Sequence, residues 1–364
     1  MSARMLLSGY YGFGNFGDEA LLAVIVEQLR RRFPASRLEV LSATPNATAR
    51  VFGVEATPRW DWRAIRAAIA RADVVLSGGG GLLQNATSLR SLLYYANVLR
   101  EAIRRRRKTM VFAQSVGPLD FWGRMVVRQW CKGVNGATVR DERSRRLLHE
   151  LLPQMPIERT ADPVFLYDVR SDAGDLAAEG LGPESRPYAV VSVRKTAGLR
   201  DASRVLARAI DRLAQRHGIR AAFLPLGGAA DAAISTDVIR ACSSAPVLLP
   251  EASLQRSAAI LRGARVVVGM RLHALILAAR YGVPFLAMAY DPKVTALCED
   301  LEYPLAPLWT AQTPRRSDAE LDDLVDRLIA EREELATRLR QRVETLRGAA
   351  ARNFDALADL VNER

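Results

Sequence analysis

Short apolar segments alternate along the chain with longer segments in which apolar and polar residues recur at helical spacing. In the first half the apolar segments are MLLSG, LEVLSA, ADVVLSGGGG, TMVFAQSVGP and GATVRD, with Gly or Pro at or near their ends. Repeated succession of strand, helix and strand favours a parallel sheet covered by helices. The first half of the chain is therefore predicted to be an α/β domain.

The same pattern returns after a stretch rich in Pro, Gly and Asp between residues 162 and 187. The second series of apolar segments is YAVVSVR, AAFLPLGG, PVLL, ARVVVGMR and PFLAMAY. We predict two doubly wound, Rossmann-like α/β domains, at residues 1–168 and 187–312, which face each other across a central cleft. Residues 313–364 are predicted to be a helical segment, with one long amphipathic helix that begins at a capping box of Ser317 and Glu320.

The charge balance of the chain is basic. Its 364 residues include 52 Lys and Arg against 40 Asp and Glu, a net charge of +12, which favours polyanions, anionic substrates or an acidic membrane surface as partners. The three scattered Cys residues argue against a disulfide framework or a zinc site. Because neither a secretory signal nor a membrane-spanning segment is recognised, we expect a cytoplasmic protein that can lie against the inner membrane surface.

The stretch MLLSGYYGFGNFGDEALL, residues 5–22, has the G-x-G-x-x-G spacing of a dinucleotide-binding turn at Gly12, Gly14 and Gly17. Such a site also needs an acidic residue at the far end of the second strand, where this chain has Ser and Ala. Asp18 and Glu19 place carboxylates on the helix N-terminus, where a pyrophosphate would have to bind. The stretch is therefore interpreted either as a structural turn or as a loop that contacts a polar substrate through its Tyr and Asn side chains.

Glycine and polar residues follow two further strands of the first domain. LSGGGGLLQNATS, residues 76–88, holds four consecutive glycines, which favour a close approach of the backbone to a ligand or to the other domain. Gln114 and Ser115 end the strand in FAQSVGPL. They either face the cleft or are loop residues with satisfied hydrogen bonds, and the residues alone leave both interpretations open.

The segment VVVGMRLHALILAARYGVP, residues 266–284, runs from an apolar strand into Arg271 and His273, which open an apolar helix. An arginine at a helix N-terminus is suited to bidentate binding of a carboxylate or phosphate. A histidine beside it can transfer protons near neutral pH, although a lone histidine is more often structural. His149 and His217 lie in charged amphipathic helices and are expected to be solvated.

Cations also follow other predicted strands: Lys293 in MAYDPKV, Arg194 and Lys195 in VSVRK, and Arg140 in ATVRDERS. Each of them alone is compatible with an ordinary surface charge. Several cations at strand ends across a cleft predict a substrate with two or more negative charges. The sequence contains none of the common metal-binding motifs, so we predict a metal-independent protein.

Eight segments in order, between about residues 5 and 300, resemble the polysaccharide pyruvyl transferase family: GYYGFGNFGDEALL, GGGGLLQNATS, QSVGPL, VRDERS, ADPVF, SVR, MRLHALI and YDPKV. The most similar branch is the bacterial one that pyruvylates the cell-wall polymer anchoring surface-layer proteins. The resemblance implies the fold of the two-domain glycosyltransferases of the B type (GT-B). It also implies phosphoenolpyruvate as donor, with no further cofactor, and N-acetylmannosamine of a lipid-linked precursor as acceptor.

The resemblance also assigns roles to residues. Arg271 and His273 match family positions tied to catalysis, and the predicted donor-binding residues are Arg271, Lys293, Arg194 and Arg140. His273 is predicted to protonate C3 of the enol while a sugar hydroxyl attacks C2, and a second hydroxyl closes a 4,6-ketal. On the acceptor side, taken to be the first domain, the predicted contacts are Tyr11, Asn15, Asp18, Gly79, Gly80, Gln84, Gln114 and Ser115. Family members often carry a histidine where this chain has Gly227. The role of that histidine is therefore not assigned to any residue of this chain.

Two basic segments, residues 102–110 and 121–134, offer Arg, Lys and Trp for contact with an anionic inner leaflet, where a lipid-linked acceptor resides. The alternative for the arginine run is a solvated helix face. Two other functions compete with pyruvyl transfer. A nucleotide-sugar glycosyltransferase would share the fold and the anion site, and a nucleic-acid-binding protein would explain the charge, although no recognition motif for nucleic acid is present.

Overall fold

The computed structural model describes residues 3–86, 88–169, 176, 180–182, 186–196, 198–310 and 316–362. The chain divides into two compact units. The first, here called the N-terminal unit, comprises Met1–Leu166 and Leu346–Arg364, and the second, the C-terminal unit, comprises Tyr167–Thr345. In this division Leu346–Arg364, the last part of the chain, groups with the first unit.

The N-terminal unit is built around a seven-stranded parallel sheet. Its strands are β1 (Arg4–Ser8), β2 (Arg37–Ser42), β3 (Glu55–Pro58), β4 (Val74–Gly80), β5 (Lys108–Gln114), β6 (Gly136–Val139) and β7 (Ile157–Arg159). Its helices are α1 (Phe16–Arg32), α2 (Pro45–Phe52), α3 (Trp62–Arg71), α4 (Leu89–Arg104), α5 (Phe121–Trp130) and α6 (Glu142–Leu151). The strand order is β3-β2-β1-β4-β5-β6-β7, so the chain reverses its direction of travel between β1 and β4.

The central strands of this sheet are buried along their length, as expected of a parallel sheet with helices on both faces. All seven residues of β4 are buried, and so are the last four of β1. This burial explains why the strands read as short continuous apolar segments in the sequence rather than as alternating ones. The reversal between β1 and β4 is the point at which open α/β sheets bind ligands, outside the carboxyl ends of the strands.

The C-terminal unit holds a six-stranded parallel sheet. Its strands are β8 (Tyr188–Ser192), β9 (Arg220–Phe223), β10 (Val247–Leu248), β11 (Val266–Gly269), β12 (Phe285–Ala289) and β13 (Trp309–Thr310). The helices that follow Tyr167 are α7 (Leu199–His217), α8 (Ala229–Ala241), α9 (Leu254–Gly263), α10 (Leu272–Arg280), α11 (Pro292–Asp300), α12 (Asp318–Ala330) and α13 (Arg332–Asn362). The order β10-β9-β8-β11-β12-β13 places the reversal between β8 and β11.

The end of the chain folds as two helices, where the sequence pattern predicts one. The capping box is confirmed, since the Ser317 hydroxyl accepts from the Glu320 amide and the Glu320 carboxylate accepts from the Ser317 amide. Helix α12 then ends at Ala330, and α13 begins at Arg332. The last turns of α13 return to the N-terminal unit, where Phe354 packs in the core around β1 and β4.

Ion pairs hold α12 against α7. Arg208 binds Asp322 through two hydrogen bonds of 2.7 and 2.9 Å, and Arg212 binds Asp326 at 2.5 and 3.0 Å. The His217 ring nitrogen lies 2.8 Å from Asp326, so the expectation of a solvated His217 is wrong, because this histidine joins the same network. Among the helices that the structure describes, none is long and apolar enough to cross a membrane.

Candidate active site

Cationic side chains follow neighbouring strands of the C-terminal unit. Arg194 follows β8, Arg271 and His273 follow β11, and Lys293 follows β12. Because these strands are adjacent and parallel, their carboxyl ends lie at one edge of the sheet. Here this edge is called the cationic edge. The structure therefore brings three of the four predicted donor residues to the carboxyl edge of one sheet, with Arg194 and Arg271 on the two sides of its reversal point.

Arg271 is held in place by a buried carboxylate. Its Nε and Nη2 atoms donate to the two Asp231 oxygens at 2.8 and 2.6 Å, in the bidentate geometry typical of arginine and carboxylate. Asp231 lies near the start of α8 and is 1% exposed, whereas the Arg271 side chain is 17% exposed. The pairing leaves Nη1 of Arg271 outside the contact with Asp231, so one edge of the guanidinium remains for a ligand.

Gly227 provides the space for this ion pair. A Cβ atom built at Gly227 would lie 1.9 Å from Nη2 of Arg271 and 2.8 Å from both oxygens of Asp231. No side chain at this position is compatible with the observed pair. Gly227 is therefore coupled to the position of Arg271.

Arg194 lies on an aromatic ring at the same edge. Its Nη1 donates to the Tyr290 hydroxyl at 2.8 Å, and its guanidinium carbon lies 4.9 Å from the centroid of that ring. Burial raises the pKa of Tyr290, while the positive charges of Arg194 and Arg271 act in the opposite direction. Within the described residues, the buried Nε of Arg194 has no hydrogen-bond partner. Arg194 thus keeps unused donor capacity beside Arg271.

Two of the three helices that start at the cationic edge, α7 and α10, lack side-chain caps, and so does α8, which follows the neighbouring strand β9. Helices α7, α8 and α10 follow three adjacent strands, and their N-cap residues Gly198, Gly228 and Arg271 provide no side-chain hydrogen bond. In the same unit α9, α11 and α12 each begin with a Ser or Asp that accepts from a backbone amide. Uncapped helix N-termini carry unsatisfied N–H groups and partial positive charge, which attract anions. The edge therefore combines cations with open amides.

His273 and Lys293 are placed in the first turns of α10 and α11. Both side chains are half-buried. The backbone amide of Lys293 donates to the Asp291 carboxylate at 2.9 Å, so Asp291 caps α11. Lys195, which follows Arg194, is exposed. Among the described residues, no cluster of three His, Cys, Asp or Glu side chains is arranged to hold a metal ion.

The glycine loop after β1 satisfies its own amides. The Glu19 carboxylate accepts from the Gly12 amide at 2.8 Å, and Asn15 caps α1 by accepting from the Gly17 amide at 3.1 Å. Burial raises the pKa of Glu19, and hydrogen bonds from the amides of Gly12, Gly14 and the residue between them lower it. Because internal acceptors already occupy these amides, the loop is not built to bind a phosphate. This geometry agrees with the sequence argument against a dinucleotide.

The predicted acceptor residues divide into buried supports and edge residues. Tyr11 is 1% exposed and donates to the Gly78 carbonyl at 2.7 Å, so it supports β4 from inside the core. Asp18 lies against Gly80, whose Cβ would come within 3.0 Å of the carboxylate. Gly79 and Gly80 both have positive φ angles, of 70° and 78°. Gln84 is half-buried in the loop that follows.

Arg140 belongs to the N-terminal unit and is not at the cationic edge. It is buried in an ion pair with Asp162, which is also buried. Its Nη2 donates to the Gly80 carbonyl at 3.2 Å and to the Ser115 hydroxyl at 3.0 Å. Gln114 is fully buried and donates to the Ser77 carbonyl at 2.6 Å. These contacts make Arg140 a residue that holds the ends of β4 and β5 together.

The sequence analysis did not identify Arg59, which lies at the centre of five aromatic rings. Its guanidinium carbon is 4.4–6.0 Å from the centroids of Tyr10, Phe13, Trp60, Tyr94 and Tyr95. The arginine is 3% exposed, whereas Trp60 is 70% exposed. The only signal in the sequence is the pair Arg-Trp directly after a short strand, and that pair by itself does not indicate a site.

The family model of the polysaccharide pyruvyl transferases matches residues 15–292, more than half of the 364-residue chain. The chain belongs to the polysaccharide pyruvyl transferase family. In this pyruvyl transferase the matched range includes Arg140, Arg194, Arg271 and His273, and Lys293 is the first residue beyond it. A comparison with curated protein sequences gives no match.

Solved structures with a similar fold include an epimerase and a glycosyltransferase. A UDP-GlcNAc 2-epimerase from Neisseria meningitidis, bound to UDP-GlcNAc, has a TM-score of 0.65 at 11% identity, over 99% of this chain and 100% of the other. A glycosyltransferase from Rickettsia africae has a TM-score of 0.66 at 10% identity, over 100% of both chains. The S. aureus MnaA-UDP structure has a TM-score of 0.67 at 10% identity, over 99% and 98%. The predicted fold class, two doubly wound parallel sheets as in GT-B enzymes, is thereby confirmed.

Proposed function

We propose that this pyruvyl transferase moves the enolpyruvyl group of phosphoenolpyruvate onto a sugar and closes a cyclic ketal with release of phosphate. The observation that carries the proposal is the cationic edge, where Arg194 and Arg271 follow adjacent strands whose helices begin without side-chain caps and Lys293 follows the next strand. Phosphoenolpyruvate has a carboxylate and a phosphate on neighbouring atoms. Such a small molecule with two anionic groups matches two arginines and a set of open amides.

Arg271 and Arg194 have different surroundings, which suggests which part of the donor each of them binds. Arg271 is fixed by Asp231, so it can bind a planar carboxylate with little loss of side-chain entropy. Arg194 is held by Tyr290 and keeps its buried Nε for an anion. We assign the phosphate to Lys293 and the open amides of α10, where the departing dianion would be stabilised.

The chemistry needs one proton delivered to carbon. Protonation of C3 of the enol makes C2 electrophilic, and a sugar hydroxyl forms the first C–O bond there and loses its proton. The C2–O bond to phosphate then breaks, and a second hydroxyl of the same sugar attacks C2 to close the ring. We assign the proton transfer to C3 to His273, which stands at the start of α10 beside Arg271.

As the acceptor we propose a residue of N-acetylmannosamine in a lipid-linked cell-wall polymer precursor, whose 4- and 6-hydroxyls attack C2 of the donor. With this acceptor, the protein would belong to the branch of the family that pyruvylates the cell-wall polymers to which surface-layer proteins are anchored. The glycine loop after β1 supports it, because Glu19 and Asn15 occupy the amides that a phosphate would need. The N-terminal unit therefore suits a neutral acceptor better than an anionic donor.

A lipid-linked acceptor brings the protein to the inner face of the membrane. We propose that the exposed rings of Phe121 and Trp122 on α5, which are 68% and 66% exposed, make this contact. The arginine run contributes less, because Arg105 pairs with Glu101 and Arg107 donates to the Ala70 carbonyl. For Arg105 and Arg107 these contacts favour a role in the fold over contact with the membrane.

The first experiment is to incubate the protein with phosphoenolpyruvate and a synthetic lipid-linked disaccharide that ends in N-acetylmannosamine. We expect phosphate release together with the mass gain of a pyruvyl ketal, and we expect the reaction to persist with a metal chelator present. In heavy water the product should carry one deuterium in its new methyl group, because C3 gains its proton from the protein. Transfer with an intact enol would overturn the ketal mechanism.

Binding measurements separate this function from a nucleotide-sugar glycosyltransferase. Calorimetric titration with phosphoenolpyruvate, UDP and GDP in parallel should give a signal with phosphoenolpyruvate alone. Binding of a nucleoside diphosphate without phosphoenolpyruvate would favour the glycosyltransferase. Donor binding without turnover would show that the acceptor is a different sugar.

A further inference from the structure

Four aromatic rings lie next to one another at one edge of the N-terminal unit, and three of them, those of Tyr10, Phe13 and Trp60, are exposed, whereas that of Tyr94 is half-buried. Tyr10 and Phe13 are stacked, with centroids 4.1 Å apart and planes 11° apart. Phe13 meets Trp60 edge-on at 6.2 Å, and Trp60 lies 6.0 Å from Tyr94. Here these four residues are called the aromatic platform.

The platform is held from behind by a buried cation. Arg59 is 3% exposed and donates to the Gly9 carbonyl at 2.8 Å and to the Tyr95 hydroxyl at 3.2 Å. Its guanidinium carbon is 4.4 Å from the Tyr94 centroid and 4.9 Å from those of Phe13 and Trp60. Cation–π contacts of this kind are worth more when the cation is desolvated. The rings are therefore fixed before any ligand arrives.

Folding does not account for the exposed rings. Trp60 is 70% exposed, and Tyr10 and Phe13 are each 38% exposed, so most of the apolar surface of Trp60 is left in water. Exposed aromatic clusters of this kind mark interaction sites. Within the described residues the buried Nε of Arg59 also has no hydrogen-bond partner.

The position of the platform is that of a ligand site. Tyr10 and Phe13 follow β1, and Trp60 follows β3. β1 is one of the two strands at the reversal point of this sheet, so the platform lies at the edge where doubly wound sheets bind ligands.

The surroundings of the platform select a neutral ligand. Asp18 and Glu19 lie in the first turn of α1, beside the loop that carries Tyr10 and Phe13. The Glu19 carboxylate accepts a hydrogen bond from the Gly12 amide. A nucleoside diphosphate stacked on the rings would bring its phosphates toward these carboxylates and would find the helix amides occupied. A pyranose has an apolar face of C–H groups and carries no charge, so it can cover the rings without that repulsion.

We infer that the aromatic platform binds a sugar ring of the acceptor through its apolar face. The inference rests on the proposed pyruvyl transfer and deepens it by naming the acceptor subsite. Trp60 is the principal contact, Tyr10 and Phe13 extend the surface along the saccharide, and Arg59 is a positioning residue that fixes the rings.

Steady-state kinetics with a soluble disaccharide ending in N-acetylmannosamine test the subsite. Trp60→Ala should raise the acceptor KM about tenfold, with kcat and the KM for phosphoenolpyruvate changed less than about twofold. Trp60→Phe should recover part of the loss because it restores a ring. Trp62→Ala, two residues further along the chain, is the matched control and should leave the acceptor KM unchanged. Equal acceptor KM values in Trp60→Ala and wild type would overturn the inference.

A binding measurement keeps the subsite testable if no pyruvyl transfer is observed. The protein has five Trp residues, so titration with the disaccharide should change its tryptophan emission, and Trp60→Phe should lose this change whereas Trp62→Phe keeps it. Loss of transfer with this signal intact would reject the proposed reaction and retain the saccharide subsite. A Trp60-dependent change with UDP or with anionic vesicles, but not with the disaccharide, would overturn the inference. So would the absence of any Trp60-dependent change.

Discussion

The guanidinium of Arg271 occupies the space next to Gly227 that any side chain there would fill. The Cβ of an alanine would lie 1.9 Å from Nη2 of Arg271. Because that atom ends a flexible side chain, the arginine would move and give up its bidentate contact with Asp231. Asp231 would then remain buried with its charge uncompensated.

Gly227→Ala is therefore expected to weaken donor binding and to destabilise the C-terminal unit. Hydrogen bonds to charged groups contribute about 1.5–3 kcal/mol, so the KM for phosphoenolpyruvate should rise about tenfold or more. Urea unfolding should show a loss of about 1–3 kcal/mol from overpacking. Gly348→Ala is the control, because a Cβ there meets open space in α13. An unchanged KM in Gly227→Ala would show that Arg271 does not bind the donor.

His273→Ala should lose turnover while it keeps donor affinity. Removal of a general acid lowers the rate about 10²–10⁴-fold, and the half-buried imidazole at the start of α10 is the proposed proton donor to C3. Single-turnover rates and calorimetric Kd values for phosphoenolpyruvate measure the two effects separately. His149→Ala, at an exposed histidine of α6, should react at the wild-type rate. Normal turnover in His273→Ala would show that His273 does not deliver the proton to C3.

Arg140 is expected to matter for stability more than for donor affinity. Removing one partner of a buried ion pair leaves the other charge uncompensated, which costs about 3–5 kcal/mol. Arg140→Leu should therefore lower the free energy of unfolding by an amount of this order, because Asp162 remains buried. Arg63→Leu, at an exposed arginine of α3, should change stability little. A stable Arg140→Leu variant with a raised KM for phosphoenolpyruvate would instead place Arg140 in the donor site.

The sequence was sufficient for the architecture because its signals are local. Continuous apolar segments are what a doubly covered parallel sheet requires, and the capping box at Ser317 is a contact between residues three apart. The cationic edge could be predicted for the same reason, since Arg194 and Arg271 each lie two residues after the end of a strand. The break between α12 and α13 at Glu331 was not predicted, because the pattern of charges and apolar residues continues across it.

Long-range contacts set the limits of the sequence analysis. Tyr11 looked like a loop residue, but its hydroxyl bonds to Gly78, 67 residues away, and the ring is buried. Arg59 gathers rings from three separate segments, and no local pattern brings Tyr10, Trp60 and Tyr94 together. The coupling between Gly227 and Arg271 likewise depends on two strand ends that are distant in the chain.

Glu19 is expected to make stability depend on pH in a defined direction. Burial raises the pKa of its carboxyl from the ordinary value of 4.5, so just above pH 4.5 the folded protein binds more protons at this site than the unfolded chain does. Stability contributed by this group is therefore greatest at low pH and falls as pH rises through the raised pKa, by at most about 1.4 kcal/mol per pH unit.

Urea unfolding of wild type and Glu19→Gln between pH 4.5 and pH 8 measures this effect. The difference in the free energy of unfolding, wild type minus variant, should decrease as pH rises and then level off. Glu27→Gln removes an exposed carboxylate from the same helix and controls for the change in net charge. A difference that grows with pH would mean that the amides of the glycine loop outweigh the cost of burying Glu19.

Membrane contact through α5 predicts that its exposed rings govern vesicle binding. Burial of a Phe side chain is worth about 1.5–3 kcal/mol, so loss of either Phe121 or Trp122 should weaken partitioning about tenfold. Flotation with vesicles of phosphatidylcholine and phosphatidylglycerol should therefore retain the wild type and release the double variant Phe121→Ser with Trp122→Ser. Val51→Ser, which removes a 72% exposed apolar side chain from α2, is the control and should float as the wild type does. If the double variant floats as the wild type does, the membrane contact lies on a surface other than α5.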